Sequence, residues 1–132
     1  MSTPAATSLV LLMDDSPTVR EILKIYLMKR RDLEFIEAGD GARGLQLARL
    51  MPVQLIITDI KMPSMDGFEF LAQLRADPKE RLRKVPVVMV TGQAESGLAQ
   101  RATAAGASAF LTKPVTPAAV QAIADRFIPP PP

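Results

Sequence analysis

The amino-acid sequence predicts one α/β domain built on a doubly wound parallel sheet, and three observations carry that expectation. Five short apolar runs alternate with helical patterns. Several of those runs are apolar on consecutive residues, as strands covered on both faces must be. The chain has 132 residues, so each crossover is short and has to return right-handed to the same sheet.

The elements follow in order. Residues 1–7 are small and polar and are expected to be loose, the domain proper is expected over 8–127, and 128–132 form a proline-rich tail too extended to pack a core. The strands are expected at Leu9 to Met13, Leu33 to Ile36, Val53 to Thr58, Val85 to Val90 and Ala107 to Leu111. Ser16 is the candidate N-cap of the first helix, Pro17 takes its first position, and Val19, Ile22, Leu23, Tyr26 and Leu27 share one face. Lys29, Arg30 and Arg31 suit the negative end of its dipole. The second, third and fourth helices are expected to open at Asp40, Asp66 and about Glu95, with Gly106 ending the fourth. Thr116 and Pro117 start the last helix, whose Val120, Ile123, Ala124 and Phe127 have helical spacing.

Composition removes several function classes. The chain has no His and no Cys, which excludes Ser-His-Asp and Cys-His catalysis, thiolate zinc sites and disulfides, and fits a cytoplasmic setting. Its net charge is +2, and four of the 16 basic residues crowd into Lys79 to Lys84, a run expected to be a solvated loop. A nucleic-acid footprint should be broader, so no direct contact with nucleic acid is expected. The first apolar run meets Asp14 and Asp15 after five residues, so neither a signal peptide nor a membrane span is expected.

Open parallel sheets bind ligands beyond the carboxyl ends of their strands. Asp14 and Asp15 follow the first strand, Asp59 the third, Thr91 the fourth and Lys113 the fifth. Three neighbouring carboxylates repel one another unless a cation joins them, and an all-oxygen donor set suits Mg²⁺ with retained waters. A metal and Lys113 could then share the charge on a transferring phosphoryl group, with Thr91 and backbone N–H groups adding hydrogen bonds. A carboxylate can accept such a group as an acyl phosphate.

The segments MDDSPTVR, TDIKMPSMDG, VTG and GASAFLTKP carry these residues. Through them, over residues 8 to 127, the chain resembles the receiver domain of two-component response regulators, the CheY-like family. The resemblance implies a flavodoxin-like three-layer sandwich with strand order 2-1-3-4-5. It implies that Asp59 is the phosphoacceptor, that Asp14, Asp15, Asp59 and the backbone carbonyl of Lys61 hold Mg²⁺, and that Lys113 binds the phosphoryl group. Thr91 would be the switch hydroxyl, Phe110 the switch aromatic, and Lys113-Pro114 a cis peptide. Lys61 and Gln93 would flank the path of the hydrolytic water.

The implied partners are a histidine kinase or histidine phosphotransfer protein and a downstream effector or output domain. A homodimer through the fourth helix, fifth strand and fifth helix is also implied. Such a domain assists its own phosphorylation and dephosphorylation but is not an enzyme with a metabolic substrate.

Two other readings remain. Gly39, Gly41 and Gly44 spell GxGxxG between a strand and a helix, the form of a nucleotide-binding oxidoreductase module. It follows the second strand and leaves Asp14, Asp15, Thr91 and Lys113 without a role. The other is an interaction domain that is never phosphorylated, because Asp14 and Asp15 alone could simply lead into a helix cap.

Overall fold

The computed structural model describes residues 7–92 and 96–132. Its elements are β1 (Ser8–Met13), α1 (Pro17–Tyr26), β2 (Leu33–Ala38), α2 (Gly41–Leu50), β3 (Val53–Asp59), α3 (Gly67–Arg75), α4 (Glu80–Lys84), β4 (Val87–Thr91), α5 (Leu98–Ala104), β5 (Ala109–Thr112) and α6 (Pro117–Phe127). All strand pairs are parallel. The order is β2-β1-β3-β4-β5, as the sequence predicts.

The consecutive apolar residues of the strands divide between two faces. Leu11, Met13, Ile56, Val87 and Met89 pack with Leu45, Phe70, Leu71, Leu74 and Ala102 from α2, α3 and α5. Val10, Leu12, Leu55, Ile57, Val88 and Val90 pack with Leu23 and Leu27 around α1 and with Val120, Ile123 and Ala124 of α6. Alternate strand residues point to opposite faces, so two helical layers require runs apolar throughout. The chain steps from β1 to β2 in one direction and from β3 onward in the other. Right-handed crossovers therefore put α1 opposite α2, α3 and α5 and open a cleft at the β1/β3 boundary.

Four helices start where the sequence places their caps or within one residue. Ser16, Asp40, Asp66 and Thr116 each accept a hydrogen bond from the backbone N–H three residues on. The fourth predicted helix, α5, begins at Leu98; Glu95, its expected start, and Gln93 lie outside the described residues. Gly106 follows α5 at φ 104°, a left-handed conformation that glycine adopts without strain. The fourth strand starts at Val87, two residues later than expected, and the fifth at Ala109. Pro86, without an N–H, contributes only its carbonyl, to Ile56 N.

The basic run is not a solvated loop. Glu80–Lys84 is a short helix, and its one apolar residue, Leu82, is fully buried. Lys79, Arg81 and Arg83 donate to backbone carbonyls, while Lys84 pairs with Glu80. Arg81 donates to Ala48 O, Arg49 O and Met51 O at the end of α2, and Arg83 donates to Asp77 O and Pro78 O. Helix ends leave carbonyls without intrahelical donors, and the Arg81 guanidinium supplies them for α2. Ile128 is buried against the α1/α6 face, and residues 129–132 are exposed. Among the described residues no helix is long and apolar enough to cross a membrane.

Candidate functional site

Strand register assembles the site. Met13 pairs with Thr58, so the residues that follow, Asp14 and Asp59, leave adjacent strands side by side. Thr91 pairs with Thr112, which brings Lys113 to the same edge. Lys113 N also donates to Thr91 O at 2.7 Å, tying the start of the next loop to the end of β4. The peptide between Lys113 and Pro114 is cis.

The Lys113 ammonium lies between two buried carboxylates, with Nζ 3.1 Å from Asp14 Oδ2 and 3.0 Å from Asp59 Oδ2. Burial would lower its pKa, but the hydrogen bonds to Asp59 and Asp14 outweigh that and raise it above the ordinary lysine value. Each carboxylate keeps its other oxygen on a backbone N–H: Asp14 Oδ1 accepts from Ser16 N at 2.9 Å and Asp59 Oδ1 from Lys61 N at 3.3 Å. Asp15 is exposed.

Oxygens of Asp14, Asp15 and Asp59 all lie within 4.8 Å of one another. This hard-oxygen donor set fits a divalent cation such as Mg²⁺, because a cation of that charge neutralises the excess that one ammonium leaves. The start of α3 presses on the same place. A Cβ on Gly67 would stand 2.6 Å from Asp59 O, so only glycine lets the helix approach this closely.

The two candidate switch residues share one face of the sheet. Phe110 pairs with Met89, and Thr91 lies two residues further along β4 on that side. Thr91 is buried. Phe110 is partly buried and packs against the α2/α3/α5 cluster. Thr91 also borders a depression lined with Lys61, Asp66, Phe68, Leu98 and Arg101, where the Arg101 guanidinium stacks 3.9 Å from the Phe68 ring centre and joins α5 to α3.

Two further features surround the site, the second of which escapes sequence reasoning. One is a groove of about 440 Å³ that opens beside Asp59 and Lys113, with α1 residues Val19, Ile22 and Tyr26 on one wall and Pro114 and Val115 on the other. Periodicity places Ile22 on one face with Leu23 and Leu27, yet it is 37% exposed while they are buried. The other is Arg20, whose guanidinium donates to the carbonyl of Asp14. Its only sequence signal is a cation on the first turn of the helix that follows two acids.

The glycine triad has a packing role. A Cβ at Gly44 would lie 2.4 Å from Met13 Cε, and one at Gly41 would lie 2.5 Å from Met65 O. These glycines let α2 lie against the sheet and the loop before α3, and the dinucleotide reading is not supported.

A family model for the response regulator receiver domain matches residues 10–125. A probable chemotaxis protein CheY from Rhizobium etli is 36% identical over 107 residues, 81% of each chain. Among solved structures, the chemotaxis response regulator CheY4 of Vibrio cholerae matches with a TM-score of 0.82 at 29% identity, over 93% of this chain and 100% of that one. The receiver domain of a Pseudomonas aeruginosa sensor histidine kinase, described with a magnesium ion in its active-site cleft, matches at 0.81 and 27% identity over 93% and 98% of the two chains.

Proposed function

The chain belongs to the response regulator receiver family of two-component signalling, and we propose that it accepts a phosphoryl group on Asp59 from a histidine kinase or a histidine phosphotransfer protein. The observation that carries this reading is the Lys113 ammonium held 3.0 Å from Asp59 and 3.1 Å from Asp14, with Asp15 beside them. An oxygen of Asp59 attacks phosphorus, the bond from phosphorus to the donor breaks, and its electron pair leaves with the donor. Lys113 turns from its carboxylate partners to the oxygens of the arriving group, where an ammonium stabilises developing charge. Asp14, Asp15, Asp59 and the Lys61 carbonyl would hold Mg²⁺, which neutralises phosphoryl charge when bound. No activity on a metabolite is part of this reading.

The partner docks over α1 and the loop after β5. Ile22 and Ile25 of α1 and Met28 in the turn that follows it are 37%, 53% and 68% exposed, and Ile22 also lines the groove beside Asp59. An apolar face of this kind marks an interaction surface. After transfer, Thr91 moves toward the phosphoryl oxygens and Phe110 takes the space it leaves. That motion shifts a two-state equilibrium in the surface formed by α5, β5 and α6, which the effector reads.

The test is intact mass after incubation with acetyl phosphate. Parent protein should gain one phosphoryl group in Mg²⁺ and none in excess chelator, and Asp59→Asn should gain none. Equal labelling of Asp59→Asn would overturn the assignment.

A further inference from the structure

β1 and β2 end their ladder at Met13 and Ala38. Asp14 N still reaches Ala38 O, but the Asp14 carbonyl takes its hydrogen bond from Arg20 Nη1. The same guanidinium donates through Nε to Glu37 Oε1 of β2 at 3.0 Å, and Lys24 Nζ holds the other Glu37 oxygen at 3.0 Å. Arg20 is mostly covered, with 16% of its side chain exposed. A guanidinium is planar, so the pair with Glu37 sets the plane in which Nη1 is presented to the carbonyl.

That carbonyl belongs to the peptide joining Asp14 to Asp15. Peptide groups are planar, so fixing the oxygen fixes the direction in which Asp15 leaves. This matters for Asp15 above its neighbours. Asp14 and Asp59 are each held by Lys113 and a backbone N–H, whereas the exposed Asp15 side chain makes no hydrogen bond or ion pair among the described residues. With no such partner on its side chain, the backbone is the one restraint on where its rotamers can reach.

We infer that Arg20, anchored by Glu37, is a positioning residue that aims Asp15 at the divalent cation and so sets the affinity of the site for Mg²⁺. The inference rests on the proposed metal role of the three acids. Arg20 touches neither the cation nor the phosphoryl group; it acts through the Asp14–Asp15 peptide. Supporting groups of this kind alter metal affinity by about 10- to 100-fold in other sites, and an exposed, partly hydrated site belongs near the lower end.

Isothermal titration with Mg²⁺ on the full chain, with melting of each metal-free variant alongside, tests this directly. Arg20→Ala should weaken Mg²⁺ binding about 10-fold. Glu37→Gln, which leaves Arg20 without its anchor, should weaken it by a smaller factor. Lys24→Met, which breaks an ion pair to the same Glu37 without touching the Asp14 carbonyl, should bind as the parent does. Parent-like affinity in Arg20→Ala, or equal losses in Arg20→Ala and Lys24→Met, would overturn the inference and leave the metal site standing. If Arg20→Ala does not fold, parent-like affinity in Glu37→Gln and Arg20→Lys together overturns it. A parent that fails to bind Mg²⁺ overturns the proposed metal role and this inference with it.

Discussion

Replacing Lys113 by Met keeps the apolar stem and removes the charge that separates two buried carboxylates. In the parent, Nζ is bonded to Asp14 Oδ2 and Asp59 Oδ2, whose side chains are 4% and 10% exposed. Removing one partner from a fully buried ion pair costs about 3–5 kcal/mol. Lys113 is 27% exposed, so water screens part of the interaction, and each acid keeps one backbone N–H. We expect a loss of about 2 kcal/mol near neutrality without divalent cations. For a chain of this length that is a fall in Tm of roughly 6–10 °C. Mg²⁺ at millimolar concentration should recover much of the deficit, since a divalent cation supplies the missing charge to the same oxygens. The assay is thermal melting of parent and Lys113→Met in chelator and in Mg²⁺. Equal melting temperatures in chelator, or a deficit that Mg²⁺ leaves untouched, would refute the view that Lys113 and the cation neutralise one acidic cluster.

Val115→Glu should block phosphotransfer from a phosphohistidine donor while sparing labelling by acetyl phosphate, because Val115 lines the groove and not the acidic cluster; equal slowing with both donors would move the docking surface elsewhere. Asp77 accepts from Lys79 N at 2.9 Å and Arg49 Nε at 3.0 Å, and these bonds, the backbone one foremost, hold its pKa below the ordinary 3.8 against the effect of burial. Its contribution is therefore present above that value and lost as pH falls through the lowered one, so the Tm gap between parent and Asp77→Asn should narrow as the solution is made acidic; a gap that stays the same from neutral pH into acid contradicts this. Beryllofluoride with Mg²⁺ should change amide-exchange protection in β5 and α6, and Thr91→Ala should abolish the change; the same response in the variant would rule out coupling through Thr91.

How much of this was legible in sequence depended on whether a feature repeats. Ser16, Asp40, Asp66 and Thr116 are local signals and mark helix starts in the structure. Asp14, Asp59, Thr91 and Lys113 could be brought together on paper because parallel strands deliver their carboxyl ends to one edge. α4 was not legible: five residues with one apolar side chain, Leu82, show no period. The work of Arg81, Arg83 and Arg20 was hidden for another reason, since their partners are backbone carbonyls and residue types do not announce which carbonyls a fold leaves open. The exposure of Ile22 was not legible either, because helical spacing shows which residues share a face but not whether a neighbouring helix closes over it.

The central claim is that Asp59 carries the phosphoryl group, and borohydride trapping tests it most directly. Reduction of an acyl phosphate converts the labelled aspartate to homoserine. After acetyl phosphate and Mg²⁺, peptide mapping should find homoserine at position 59 in the parent and no conversion at Asp14 or Asp15. Homoserine at either of those positions, or aspartate intact at 59 in protein that has gained a phosphoryl group, would contradict the account.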